Sequence, residues 1–302
     1  MKKLKVVLGL TMRENDFQQQ HAAVAEATAQ RLGIELTVVY GEGDAIAQTK
    51  QILALIHGPK DDRPSAVIVE PIGTGMLPVA TAAVNNGVGW VVLSRKEDYL
   101  LPLREKAAVP VGSFATDNKE AGRIQGRQFA ALLPGGGTLL YIEGPATDPA
   151  RLRREGLQET LPKNIEIRTA AGKWTEASGY QAMASRLQAG TVSRGIHLIG
   201  CQNDAMALGA RRALEELPAD ARREEWLRVP FTGVDGVPAT GQQWVQKGLL
   251  AATVVIPPLT GLALEALARS IASGEQLPER TFTVPVSYPP VEQLKPRMPA
   301  AG

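Results

Sequence analysis

The sequence predicts an α/β protein built as two doubly wound parallel-sheet lobes. Three observations carry that expectation. Short β-branched runs alternate with longer segments of helical periodicity, the mark of βαβ units. The alternation runs to residues 111–115 and then restarts as a second, similar series. At 302 residues, with 44% hydrophobic and 21% charged, the chain is long enough for two cores and has the apolar side chains to fill them.

The first series opens with a strand over 5–10, a helix over 17–32, a strand over 34–40 and a helix over 45–57. It continues with a strand at 66–69, a helix near 75–85 and strands at 89–93 and 111–115. In the second series helices at 119–133, 149–160, 176–188 and 204–217 alternate with strands at 138–142, 165–169, 195–200 and 230–234. A final strand is expected at 252–256. The Pro134-Gly135-Gly136-Gly137 run reads as a helix-ending turn, 217–229 as a charged, solvated excursion, and 295–302 as a loose tail. In doubly wound lobes ligands bind beyond the carboxyl ends of the strands, so polar residues that follow each strand carry the most weight.

Composition excludes several classes. The 33 basic and 31 acidic residues leave a net charge of +2, and neither sign forms a long run, so no electrostatic case exists for nucleic acid or an anionic membrane. No apolar stretch reaches the roughly 18 to 20 residues that span a bilayer. Cys201 is the only cysteine, which leaves no intramolecular disulfide and no cysteine-cluster metal site. Met1-Lys2-Lys3 resembles the start of a signal peptide, but the apolar run Val6 to Leu10 is too short for its core and leads into Thr11-Met12-Arg13-Glu14-Asn15. The location expected is periplasmic or extracytoplasmic if a signal was trimmed, cytoplasmic if Met1 is the native start.

Catalytic constellations are missing from the sequence. His21, His57 and His197 are far apart, and none is followed at helical spacing by a second metal ligand, so each reads as a surface or satisfied core histidine. There is no GxSxG, HExxH or GxxxxGK[ST], and the glycine pairs at 41/43, 73/75 and 87/89 lack the third glycine of a dinucleotide site. Glu224-Glu225 beside Arg222-Arg223 points in different directions on a helix and reads as a solvated face. The expectation is a non-enzyme with no cofactor and no metal.

The most specific stretch is 200–214, GCQNDAMALGARRAL. It resembles the strand-loop-helix of the ribose-binding branch of the type I periplasmic binding proteins, and of lactose-repressor-type effector domains. Asn203 ends a strand and opens a helix, where its amide can meet a ligand hydroxyl while Asp204 complements the helix dipole. Residues 231–238, FTGVDGVP, are similar to the family's strand ending in a sugar-binding aspartate, here Asp235. Gly144 followed by 149–157, PARLRREGL, is similar to its helix whose first arginine reaches the cleft. The resemblance assigns that role to Arg151 and turns Arg153 and Arg154 to solvent.

By the same resemblance Phe17 and Trp174 are the aromatics of the two lobes, Asn15 is the loop asparagine, and Ser94-Arg95 replaces an aspartate-arginine pair. An aromatic face covers the C–H side of a sugar ring while planar polar groups meet its hydroxyls. Gln18 stands where a second aromatic is usual and Ile256 where a hinge glutamine is usual. These departures change the hydrogen-bond inventory and leave the ligand unnamed.

The resemblance covers the chain from Lys5 to about Val286 and implies three interlobe crossovers, at 115–118, 256–257 and 283–284. The lobes are then 1–116 plus 257–283, and 117–256 plus 284–302. It implies a receptor that closes around a small polyhydroxylated ligand, a sugar, cyclitol or derivative, as the binding component of an ABC transporter. Its expected partners are a membrane permease, a chemoreceptor or a sensor kinase, and its expected state is a monomer. The alternative is a stand-alone cytoplasmic sugar sensor without a DNA-binding domain, since the first strand begins by Lys5 and leaves no room for a helix-turn-helix.

Overall fold

The computed structural model describes residues 3–95, 97–189 and 195–296. Residues 297–302 of the expected tail therefore lie outside the described residues, as do Met1 and Lys2. The chain divides into two compact units, 1–116 with 257–283 and 117–256 with 284–302.

In chain order the first unit begins with β1 Lys5–Leu10, α1 Asp16–Leu32, β2 Glu35–Tyr40, α2 Ala45–Ile56, β3 Ala66–Val69, α3 Leu77–Asn85, β4 Gly89–Leu93, α4 Leu100–Lys106 and β5 Val111–Thr116. The second unit follows with α5 Asn118–Leu132, β6 Gly137–Glu143, α6 Asp148–Thr160, β7 Ile165–Ala171, α7 Glu176–Gln188, β8 Leu198–Cys201, α8 Asp204–Glu215, α9 Ala221–Arg228 and β9 Phe231–Asp235. A π-turn at Pro238–Gln242 leads into the short α10 Gln243–Gln246, and β10 Ala252–Val255 comes next. The chain then returns to the first unit with α11 Leu259–Ser273 and β11 Arg280–Thr283, and ends in the second with β12 Val286–Tyr288.

Each unit holds one six-stranded sheet. The first runs β11-β5-β4-β3-β1-β2 and is parallel throughout. The second runs β12-β10-β9-β8-β6-β7, parallel except for β12 against β10. Strands buried on both faces explain their near-continuous apolar sequences. In β1, Val6, Leu8 and Leu10 face α1 and α11, while Val7 faces the α2, α3 and α4 side. In β6, Leu140 and Ile142 face α7 and α8, while Leu139 and Tyr141 face α5 and α6.

The helix pair α5/α6 touches through glycines. A Cβ at Gly122 would fall 1.9 Å from the Arg153 carbonyl oxygen, and one at Gly156 would fall 1.8 Å from that of Lys119. No larger residue fits at either place, and this close approach fixes where α6 presents its side chains.

Two sequence expectations change. The excursion 217–229 contains α9, because Trp226, only 7% exposed, anchors it to the core beside Leu217, Leu227 and Val229. One buried aromatic outweighs the charge of its neighbours. The elements α4, α11, β11 and β12 were not resolved from the sequence. The two strands are only four and three residues long, and the apolar face of α11 is its most legible signal, with Leu259, Ala263, Leu264 and Leu267 buried.

Candidate ligand-binding sites

In a sheet of order 2-1-3-4-5 the chain leaves the first strand in one lateral direction and the third in the other, and the loops beyond their carboxyl ends diverge into a crevice. The first unit has that switch point between β1 and β3, and the second has it between β6 and β8.

In the first unit Asn15 is the N-cap of α1, its side-chain oxygen accepting from the Gln18 amide at 3.1 Å. Phe17 is half-buried, its ring centroid 4.4 Å from that of His21. Gln18 is buried: its Oε1 accepts from the Thr11 amide at 3.0 Å and its Nε2 donates to Glu70 Oε2 at 2.8 Å. Gln18 therefore ties the loop after β1 to the residue after β3. Gln48 does the same from below, donating to the carbonyls of Leu10 and Glu70 and accepting from the Ile72 amide.

His21 is fully buried, a core histidine and not a surface one, with one of its two ring nitrogens hydrogen-bonded. Its Nε2 accepts from the Leu259 amide at 3.4 Å, while Nδ1 has no hydrogen-bond partner and lies 3.7 Å from Glu70 Oε2. Burial alone would raise the Glu70 carboxyl; His21, Gln18 and the Ser94 hydroxyl outweigh it and hold the group below its ordinary value. Ser94, which follows β4, has the left-handed φ of 70°. Arg95 donates to the Gly73 carbonyl and pairs with Glu97. Glu70 was not singled out from the sequence, and His21 was read there only as a histidine that holds no metal.

In the second unit the glycine after β6 makes room for an aromatic. A Cβ at Gly144 would fall 2.1 Å from the Trp174 ring, so the indole lies directly against the Gly144 backbone. Trp174 has φ 64°, and its carbonyl accepts from Asn203 Nδ2 at 3.0 Å. Asn203 caps α8 as well, its side-chain oxygen accepting from the Met206 amide at 3.0 Å. Gln202 accepts from the Gly144 amide at 2.9 Å and donates to the Ala150 carbonyl at 3.0 Å, joining the loops after β6 and β8.

The arginine assignment is corrected. Arg151 is 56% exposed at its side chain and pairs along its own helix with Asp148 and Glu155. Arg153, expected to face solvent, is 7% exposed. Its Nε donates to Asn118 Oδ1 at 3.0 Å, Nη1 donates to the Gln202 carbonyl, and Nη2 is 3.9 Å from Asp235 Oδ1. Its guanidinium lies 5.5 Å from the Trp174 ring centroid. Arg154, 49% exposed, does turn outward and pairs with Glu143. Burial pulls the Arg153 guanidinium below its ordinary value, and Asp235, Tyr141 and Asp204 oppose that.

Asp235 is the last residue of β9 and has φ 112°, a conformation that few non-glycine residues adopt. What holds it is Asp204. That carboxylate, 1% exposed, accepts from the Gly236 amide at 2.8 Å and from the Thr253 hydroxyl at 2.7 Å. Asp204 thus sits in the first turn of α8, as its helix-dipole role requires, and also braces the end of β9, where Asp235 stands. Ile256 is buried at 2% exposure, and its amide donates to the Asp235 carbonyl at 3.0 Å. The structure gives Ile256 a backbone role in this unit.

Among the described residues no group of three side chains is arranged to hold a metal, and no helix is long and apolar enough to cross a membrane. Cys201 is buried beside Asp204, and burial pushes its thiol well above the usual range.

Residues 6–276 match the family model of the periplasmic binding protein domain. The chain is 28% identical over 280 residues to the ribose import binding protein of Haemophilus influenzae, covering 90% of this chain and 87% of the relative. It is 28% identical over 232 residues to the D-apiose import binding protein of Actinobacillus succinogenes, covering 74% and 68%. A solved periplasmic solute-binding protein from Actinobacillus succinogenes with bound D-allose superimposes with a TM-score of 0.81 at 22% identity, covering 96% of this chain and 99% of that one. Such proteins are binding components of transporters, in agreement with the non-enzymatic character expected from the sequence. The match spans nearly the whole length of both units, and the chain belongs to the periplasmic binding protein domain family.

Proposed function

We propose that this protein is a solute-binding receptor for a small polyhydroxylated ligand, serving an ABC importer. The observation that carries the reading is the Trp174, Arg153 and Asp235 group in the second unit, an aromatic face beside a buried guanidinium and a buried carboxylate. An indole covers ring C–H groups, and the charged pair supplies donors and acceptors for hydroxyls. Relatives named for ribose and D-apiose import support this ligand class. In the first unit Asn15, Phe17, Ser94 and Arg95 are the residues proposed to meet the ligand.

Ligand binding first to one unit and then enclosed by the other would give a closed form recognised by a membrane permease. An extracytoplasmic location and a monomeric state complete the reading. A chemoreceptor or sensor kinase would read the same closed form.

The test is a thermal-shift screen across pentoses, hexoses, cyclitols, polyols and sugar acids, with hits titrated calorimetrically. A ligand at about one hundred times its Kd should stabilise the protein by about 2.7 kcal/mol. The Asp235→Ala variant should fold and lose that shift. Absence of any stabilising ligand in the panel, or full retention of binding by Asp235→Ala, would overturn the reading.

A further inference from the structure

Resting on the binding-protein reading above, we propose that Glu70 makes the first unit selective for a ligand bearing an ammonium group on its polyol frame, an amino sugar or an aminocyclitol. Glu70 is the residue immediately after β3, at the switch point of its sheet, and its side chain keeps 16% exposure. Its Oε2 is held by Gln18 Nε2 at 2.8 Å, so the carboxylate is fixed in place.

In the other unit Asp235 has the Arg153 guanidinium 3.9 Å away, and a carboxylate so compensated is a good acceptor for neutral hydroxyls. Glu70 has no such partner: among the described residues no lysine or arginine stands at ion-pair distance from it. The nearby loop cations are engaged elsewhere, Arg13 with Glu42 and Arg95 with Glu97. His21 does not fill the place. Its Nε2 accepts the Leu259 amide hydrogen, which a ring nitrogen does through its lone pair, and its Nδ1 lies 3.7 Å from Glu70 Oε2.

The surrounding donors favour the carboxylate over the carboxylic acid. A neutral polyol closing over this carboxylate would strip water from a charge and leave it without a counter-ion, whereas an ammonium would supply the counter-ion and hydrogen-bond donors together. A charge-assisted bond exceeds a neutral one by about the amount that makes a tenfold difference in affinity.

The experiment titrates the purified full chain with matched sets: D-glucose and D-glucosamine, D-galactose and D-galactosamine, and myo-inositol with an aminodeoxyinositol. The expected result is that the amine of at least one set binds about tenfold more tightly or better than its hydroxyl counterpart. That advantage should disappear in Glu70→Gln. It should also fade in the wild-type protein as pH rises through the amine's own pKa, an arm that needs no variant. If the neutral members bind as tightly in every set, or the amine's advantage survives both Glu70→Gln and amine deprotonation, the inference is overturned while the polyol-receptor reading stands. If nothing in these sets or in the wider polyol panel binds, both fall together.

Discussion

Arg153 Nη2 lies 3.9 Å from Asp235 Oδ1, and each residue is only 7% exposed. The two charges sit on different elements, α6 and the last residue of β9, and the Trp174 ring flanks the guanidinium. Buried charges of this kind are tolerated because their surroundings are tied down: Arg153 also donates to Asn118 and Gln202, and the backbone just after Asp235 is braced by Asp204.

From this relationship Arg153→Ala should destabilise the fold by about 3 kcal/mol, because Asp235 would keep a buried charge without its cation. It should also abolish ligand-induced thermal stabilisation. Arg151→Ala, which removes only exposed pairs along one helix turn, should leave both the urea midpoint and the affinity unchanged. Urea melts and calorimetric titrations of the two variants separate the outcomes. Equal behaviour would show that burial does not distinguish them.

The contrast between these two arginines shows how far the sequence can be read. The alternation of strands and helices follows directly from β-branched runs and helical periodicity, so the two sheets were legible. Arg153 was also legible in principle: Ala150, Arg153, Gly156 and Leu157 recur at helical spacing and form the buried face of α6. Arg151 falls between them, with Asp148 three residues before and Glu155 four after, the pattern of an exposed ion-paired face. Resemblance to a motif chose the first arginine, where periodicity would have chosen the second. Glu70 obeyed the rule that polar residues after strands matter, since it ends the run Ala66-Val67-Ile68-Val69. The bond from Gln18 to Glu70 spans 52 residues, and no local pattern announces such a pairing. Asp204 was seen as a cap neighbour because helix starts are local, while its bonds to Gly236 and Thr253 are not.

Asp204→Ala should cost about 2 to 4 kcal/mol, since it removes a buried acceptor and leaves the Gly236 amide and Thr253 hydroxyl without it. Ligand affinity should fall too, because the strained Asp235 backbone loses its brace. Thr253→Val removes only one of the two donors and should weaken stability less. A destabilised Asp204→Ala protein with undiminished affinity would remove Asp204 from any positioning role.

Gly144→Ala tests how the indole is held. The new methyl would meet the Trp174 ring at 2.1 Å, so the ring must move, at a cost of about 1 to 3 kcal/mol. The expected signature is a shifted tryptophan emission with weaker ligand binding, and with far-ultraviolet circular dichroism unchanged. An unaltered emission maximum and affinity would mean that the indole does not depend on Gly144 for its place.

Two carboxylates should give opposite pH signatures when each is replaced by its amide. Glu70 is held below its unperturbed value of 4.5, so its favourable contribution is present above that pH and is lost as pH falls through the depressed value. Glu70→Gln should therefore be less stable than wild type at neutral pH, with a deficit that shrinks as acid protonates the wild-type group. Glu143 is raised: burial disfavours its charge, Arg154 only partly offsets this, and its Oε1 is buried without a hydrogen-bond partner. For a carboxyl raised in the fold the charged form is a penalty above the folded pKa, and the penalty vanishes below the unfolded one. Glu143→Gln should accordingly be more stable than wild type at neutral pH, with an advantage that fades as pH drops. Urea melts of the three proteins between about pH 7 and pH 3.5 give the comparison directly. The two difference curves should approach zero from opposite sides, and curves of the same sign would overturn the assignment for one of the two groups.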